Sequence, residues 1–227
     1  MLRRLALSSV GLFVLLALAL FVPAGLWRTP GRWPQAWAFL ALFAALCFLL
    51  TLWMWRHDRA LLAARIQPIT GGDQDPRDRT IAALLLAAFA VWVLEMGFAR
   101  HLGAMGPLWL QCLGAALITL AFLGYFAAFR ANSFAASNVR VQRERGQRVI
   151  SSGPYALVRH PIYAATIPFF IGVPLLLATP LGLLGLAVLL PLLALRALGE
   201  ETVLRAGLPG YPDYCARVRW RLIPGLW

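Results

Sequence analysis

Two polar clusters hold the residue types from which chemistry can be built. The first is Tyr155, Arg159, His160 and Tyr163, and the second is Arg196, Glu200 and Glu201. Pro161 follows His160, and proline favours the first turn of a helix, where its missing N–H is no loss. His160 is therefore expected at the N-cap edge of a helix, where free backbone N–H groups and the helix dipole attract anions. Arg159 adds a positive charge, and Tyr163 lies about one turn on, on a nearby face. This set suits a small ligand carrying a carboxylate and hydroxyl groups. Arg196 and Glu200 are four apart and share one helix face. As a simple surface ion pair they would be worth little. As part of a site, a carboxylate at Glu200 or Glu201 could bind ribose hydroxyls or a cationic centre.

The elements that must position these clusters are apolar. The chain has 227 residues, 61% of them hydrophobic, and a mean hydropathy of +0.73. Soluble domains sit nearer half apolar, so the composition predicts an all-α integral membrane protein with a single polytopic domain over residues 1–227. Six spans are expected, at residues 5–26, 37–55, 81–98, 108–129, 162–178 and 181–198, each near the ~20 residues that cross a bilayer. Lipid cannot satisfy backbone polar groups, so the spans must be helices. Residues 1–130 hold the first four, and residues 131–227 form the half that carries both polar clusters. Thr179-Pro180 joins the last two spans into a tight antiparallel hairpin. That brings the His-Pro and Glu-Glu ends face to face. The N-terminal run is long enough to span and is read as a first transmembrane helix rather than a cleaved leader.

All 21 basic residues are arginine, and the net charge is +12. Such a charge can mark nucleic-acid binding, but this hydropathy argues for cytoplasmic loops and anionic lipid instead. Three arginines (Arg28, Arg32 and Arg100) fall on one side, leaving 18 of the 21 on the other. The positive-inside rule then puts both termini in the cytoplasm. The 56–79 loop carries four aspartates against five arginines, with turn signals at residues 71–76 and an interfacial segment at 60–66. An amphipathic C-terminal helix is expected from residue 200, broken at Pro209-Gly210 and ending in the basic aromatic stretch 217–221. The three cysteines show no metal-ligand spacing, so no metal site is expected.

GPYxxVRHPxY at 153–163, an apolar hairpin, RxxxEE at 196–201, then GYxxY and a basic tail together resemble the isoprenylcysteine carboxyl methyltransferase family of membrane enzymes. The nearest likeness is to bacterial members, which implies a bacterial inner-membrane location. The resemblance covers residues 132–227 most clearly and extends weakly to 34–37 and 58–65. It implies S-adenosylmethionine as methyl donor, used without a Rossmann domain, and no Gly-rich fingerprint occurs in the chain. Carried over by motif, the cofactor pocket takes Gln142, Gln147, Arg148, Val149, Ile150, Tyr155, Arg159, His160, Pro161, Ile162, Tyr163 and Glu200. Gln147 stands where family members often have histidine. The resemblance makes Arg196 the residue near the substrate carboxylate. A carboxylate nucleophile needs no base, whereas an amine would need one, with Glu201 or His160 as candidates.

The implied acceptor is a lipophilic small molecule or a prenylated substrate reached from membrane lipid, with no nucleic-acid partner. A phospholipid amine methyltransferase shares much of this layout. An NADPH-dependent sterol-type reductase has a broadly similar C-terminal half, and a non-enzymatic transporter is the remaining class. Glu95, fourteen residues into the third span, is a candidate by type but is placed outside the site. Trp27, Trp33 and Trp37 read as an aromatic belt, and Asn132 and Asn138 as caps or mouth residues.

Overall fold

The computed structural model describes residues 2–26, 32–70, 76–102 and 106–227. The expected turn at 71–75, and Trp27 and Arg28, lie outside these residues. The described residues form eight α-helices: α1 (Leu2–Phe21), α2 (Pro34–His57), α3 (Arg59–Arg65), α4 (Pro76–Ala99), α5 (Leu108–Ala131), α6 (Pro161–Leu176), α7 (Leu186–Gly207) and α8 (Tyr211–Arg217). No β-strand occurs among the described residues.

Four helical stretches are long and apolar enough to cross a membrane: Pro34–His57, Pro76–Ala99, Leu108–Ala131 and Pro180–Gly207. Two shorter apolar stretches, Ser9–Phe21 and Pro161–Leu176, accompany them. The six expected spans therefore map onto six apolar helical segments, four of them at full length. At 1.5 Å per residue, the 16 residues of α6 extend about 24 Å, short of the ~30 Å hydrocarbon core. Large apolar side chains lie on the outside, among them Leu15, Phe48, Val91, Phe98 and Leu108. A water-facing surface would not carry so many, whereas lipid accepts them.

The interior is closed by helix contacts that involve both halves of the chain. Leu20, Ala36, Met96, Ile118, Val173 and Leu189 join one core from α1, α2, α4, α5, α6 and α7. α6 packs chiefly on α5, and α7 chiefly on α4. The link between α6 and α7 is longer than Thr179-Pro180. A left-handed residue, Ala178 (φ 55°), precedes a 3-10 turn at Pro180–Gly185. The two helices thus lean on different partners while their polar ends still meet. Two indoles serve this turn: Trp33 Nε1 donates to Leu177 O (3.2 Å) and Trp92 Nε1 to Gly182 O (2.6 Å). Those carbonyls would find no partner in lipid. Trp33 is fully buried, so it belongs to the core and not to an aromatic belt, while Trp37 is 47% exposed.

α3 departs from an interfacial segment lying free. Asp58 N-caps it, accepting from Leu61 N at 2.8 Å, and also accepts a short hydrogen bond from Ser133 Oγ. Leu61 and Leu62 pack against Met54, Phe129 and Ala135. Ser137 Oγ donates to Gln67 O at 2.6 Å. The loop after α5 is thereby stapled over α3.

After the break at Gly210 (φ 79°), α8 and the tail fold back onto the start of α6. Arg159 N donates to Trp220 O and His160 N to Arg221 O, both at 2.9 Å. The basic tail is thus part of the folded half rather than only an interfacial anchor.

Candidate functional site

One cavity of about 510 Å³ runs through the molecule, within the ~300–1,000 Å³ usual for small-molecule sites. One end is apolar, walled by Leu12, Phe43, Leu50, Phe89, Phe122 and Phe169 from five helices. The other end is polar, walled by the 132–150 loop, the start of α6, the end of α7, and α8. All the residues assigned from the sequence to cofactor or acceptor contact line this cavity, except Glu201.

His160 sits at the N-cap of α6 with Pro161 at the first helical position, as the dipeptide predicts, though its side chain does not cap the helix. Its ring stacks on Tyr163 (centroids 5.5 Å apart, 10° between planes). Tyr163 OH donates to Glu200 Oε2 at 2.8 Å, and His160 Nδ1 lies 3.7 Å from the same oxygen. Glu200 Oε1 has no hydrogen bond among the described residues. Burial alone would favour neutral imidazole. The hydrogen bonds and charges of Glu200 and Glu201 outweigh it and raise the His160 pKa above the ordinary 6.5.

Glu201 is turned away from the cavity. Arg159 Nε donates to Glu201 Oε1 at 2.7 Å, Arg221 Nε lies 3.2 Å from that oxygen, and His160 Nε2 lies 3.3 Å from it. Arg159 Nη1 also donates to Val218 O (3.0 Å) and Arg219 O (3.2 Å). Arg159 and Glu201 therefore bind the tail to α6 and α7. As a base for an amine acceptor, Glu201 is misplaced: it is buried, enclosed by Arg159, Arg205, Arg221 and His160, and absent from the cavity wall.

Arg196 is 5% exposed and pairs with a residue that local spacing does not reveal. Its Nε lies 3.3 Å from Asp78 Oδ1, and its Nη2 donates to Ser137 O at 2.7 Å. Asp78, 2% exposed, belongs to α4, which begins at Pro76, five residues earlier than the span expected from hydropathy. The Arg196–Glu200 pair suggested by their spacing of four is replaced by this long-range one.

Gln142 and Gln147 hold the loop together. Gln142 N donates to Gln147 Oε1 (2.7 Å), Gln142 Nε2 to Phe134 O (2.6 Å), and Arg145 Nη1 to Gln142 Oε1 (2.5 Å). Tyr155 faces the cavity, and its carbonyl accepts from Tyr214 OH at 2.8 Å. Burial raises the Tyr155 pKa above the phenol range. Asn132 and Asn138 both line the cavity, and Asn132 Oδ1 accepts from Phe134 N at 2.9 Å. Sequence reasoning passed over Tyr211 and Arg65. Tyr211 lines the polar end with a buried hydroxyl that has no hydrogen-bond partner among the described residues. Its signal was the GYxxY run. Arg65 lines the cavity from the last turn of α3. Glu95 is not part of the cavity wall, and its Oε2 is buried without a partner.

The sequence model of the phospholipid methyltransferase family matches residues 109–207. The chain is thus similar to that family from the start of α5 to the end of α7, the stretch that carries His160, Tyr163, Arg196 and Glu200. No curated protein matches the chain.

Proposed function

We propose that this protein is a membrane methyltransferase that uses S-adenosylmethionine to methylate a lipophilic acceptor. The observation that carries the reading is a cavity with an apolar end and a polar end that carries Tyr163, Glu200 and Arg196 on its wall. The residues at the polar end fit the donor. The free Glu200 Oε1 can accept from ribose hydroxyls or face a sulfonium, and the unpartnered Tyr211 hydroxyl and the amide of Gln147 add polar contacts. When bound, that cofactor supplies an already activated methyl group, whose bond to sulfur breaks as the new bond to the acceptor forms.

The chain's own residues then have to bind, align and exclude water. His160 stacked on Tyr163 fixes the phenol, and the phenol fixes Glu200. Phe122, Phe129 and Phe169 close the apolar side against water. Arg196 stands one turn before Glu200, on the cavity wall, where an acceptor group would be oriented. A carboxylate acceptor, as in isoprenylcysteine O-methylation, needs no proton removed. This suits a site in which Glu201 is tied into the tail and His160 lies against two carboxylates that raise its pKa. The family similarity over residues 109–207 favours a second reading, N-methylation of a phospholipid amine, in which a proton must leave the acceptor.

Calorimetric titration of the purified chain tests the donor assignment. S-adenosylmethionine and S-adenosylhomocysteine should bind, NADPH should not, and Glu200→Ala should weaken binding roughly tenfold through loss of charge-assisted contacts. Binding of NADPH alone would replace the reading with a reductase.

A further inference from the structure

Arg65 is a cavity cation that no carboxylate neutralises among the described residues. Its Nη1 donates to Ala136 O at 3.3 Å, and its guanidinium lies over the Phe129 ring, 4.9 Å from the centroid. Of the other arginines on the cavity wall, Arg196 is matched by Asp78, Arg159 by Glu201 and Arg140 by Glu144, while Arg148 stands on the 132–150 loop at the polar end. Two further carboxylates are engaged elsewhere: Asp58 by Ser133 and the α3 N-terminus, and Glu200 by Tyr163 and His160. A guanidinium carries five donors in a planar fork, and one backbone bond leaves most of them open to the cavity. Burial and the charge of Arg196 both act against the charged form of Arg65 and lower its pKa. A cation in such a place gains from an anionic partner, and no carboxylate among the described residues supplies one. The position also fits, because Arg65 stands beside Phe129, Asn132 and Tyr125 on the wall that links the apolar end to the polar end. Tyr125 OH donates to Thr166 Oγ1 at 3.0 Å, which fixes the side facing it.

Resting on the methyltransferase reading, we propose that Arg65 binds an anionic group on the acceptor, so that the substrate class is an acidic lipid-soluble molecule, chain in the apolar end and anion at Arg65. The anion is either the carboxylate to be methylated or a phosphodiester next to an amine, and both have the oxygen geometry that a guanidinium binds bidentately.

Three amphiphiles of equal chain length separate these cases: an alkyl carboxylate, an alkyl phosphate and an alkyl alcohol, titrated into the detergent-purified chain. At least one acid should bind the wild type roughly tenfold more tightly than the alcohol, and Arg65→Gln should abolish the difference while leaving the alcohol unchanged. Preference for the carboxylate identifies the acceptor group itself, and preference for the phosphate identifies a phospholipid. Equal binding of acids and alcohol to the wild type, or a full acid preference in Arg65→Gln, overturns the proposal. Reaction of the wild type with an arginine-selective dicarbonyl, mapped by mass spectrometry, needs no variant. The acid should protect Arg65 and the alcohol should not, and absence of that difference also overturns it. S-adenosylmethionine titrated in parallel keeps the outcomes apart. Donor binding without acid preference removes Arg65 from acceptor binding alone, whereas loss of donor binding removes the methyltransferase reading.

Discussion

Glu201 and Glu200 are neighbours in sequence with opposite tasks. One is enclosed by Arg159, His160 and Arg221, and the other faces the cavity from beside Tyr163. His160 touches both, so its charge links tail, α6 and α7. Its folded pKa is raised above 6.5. The stability it contributes as a cation is therefore fully present below the unfolded value and is lost as pH rises through the folded one. The gap in Tm between wild type and His160→Gln should narrow as pH rises above 6.5 and through the raised folded-state pKa. A constant gap would mean that the ring acts by packing alone. The buried Arg196–Asp78 pair gives a second expectation. Arg196→Ala removes the cation from this buried pair and should cost about 3–5 kcal/mol, and Asp78→Asn in the same chain should recover part of it. Denaturation showing no recovery would deny the pairing. This pair was not legible in the sequence, because spacing reveals neighbours at i+4 and Asp78 lies 118 positions away. The His160–Tyr163–Glu200 meeting was legible, because His-Pro marks a helix start and an apolar hairpin must return its far end to the same side.

At the scale of elements, hydropathy identified each long helix, while their starts and partners came from packing. α4 begins at Pro76 because Asp78 finds Arg196 inside the bundle, a pairing that hydropathy cannot foresee. α3 is short and weakly amphipathic in sequence, and it becomes part of the cavity wall only through Asp58 and the loop 132–137. The α5–α6 contact depends on two glycines. A Cβ on Gly114 would meet Leu176 N at 2.4 Å and Gly172 O at 2.6 Å, and one on Gly172 would meet Gly114 O at 2.7 Å. Such close backbone approach is what small residues allow in membrane helices. Gly114→Ala should lower stability by about 1–3 kcal/mol through forced separation of α5 and α6. An unchanged Tm in detergent would show that these helices have room to spare.

For the whole molecule, the arginine bias and the cavity agree with the proposed function, in which a basic, polar face would receive the donor and an apolar face the acceptor from lipid. Single cysteines at Thr70 and Gly106, in a chain lacking Cys47, Cys112 and Cys215, should label from opposite sides of the membrane. Labelling from one side would contradict the arrangement of spans. The central claim is that donor and lipophilic acceptor meet in one cavity at Glu200. Transfer of radiolabelled methyl from S-adenosylmethionine, in membranes of the native host supplemented with the purified chain, tests it most directly. The account predicts label in the solvent-extractable lipid fraction with wild type, and its loss with Glu200→Ala. Label confined to water-soluble products, or equal lipid labelling by Glu200→Ala, would contradict it.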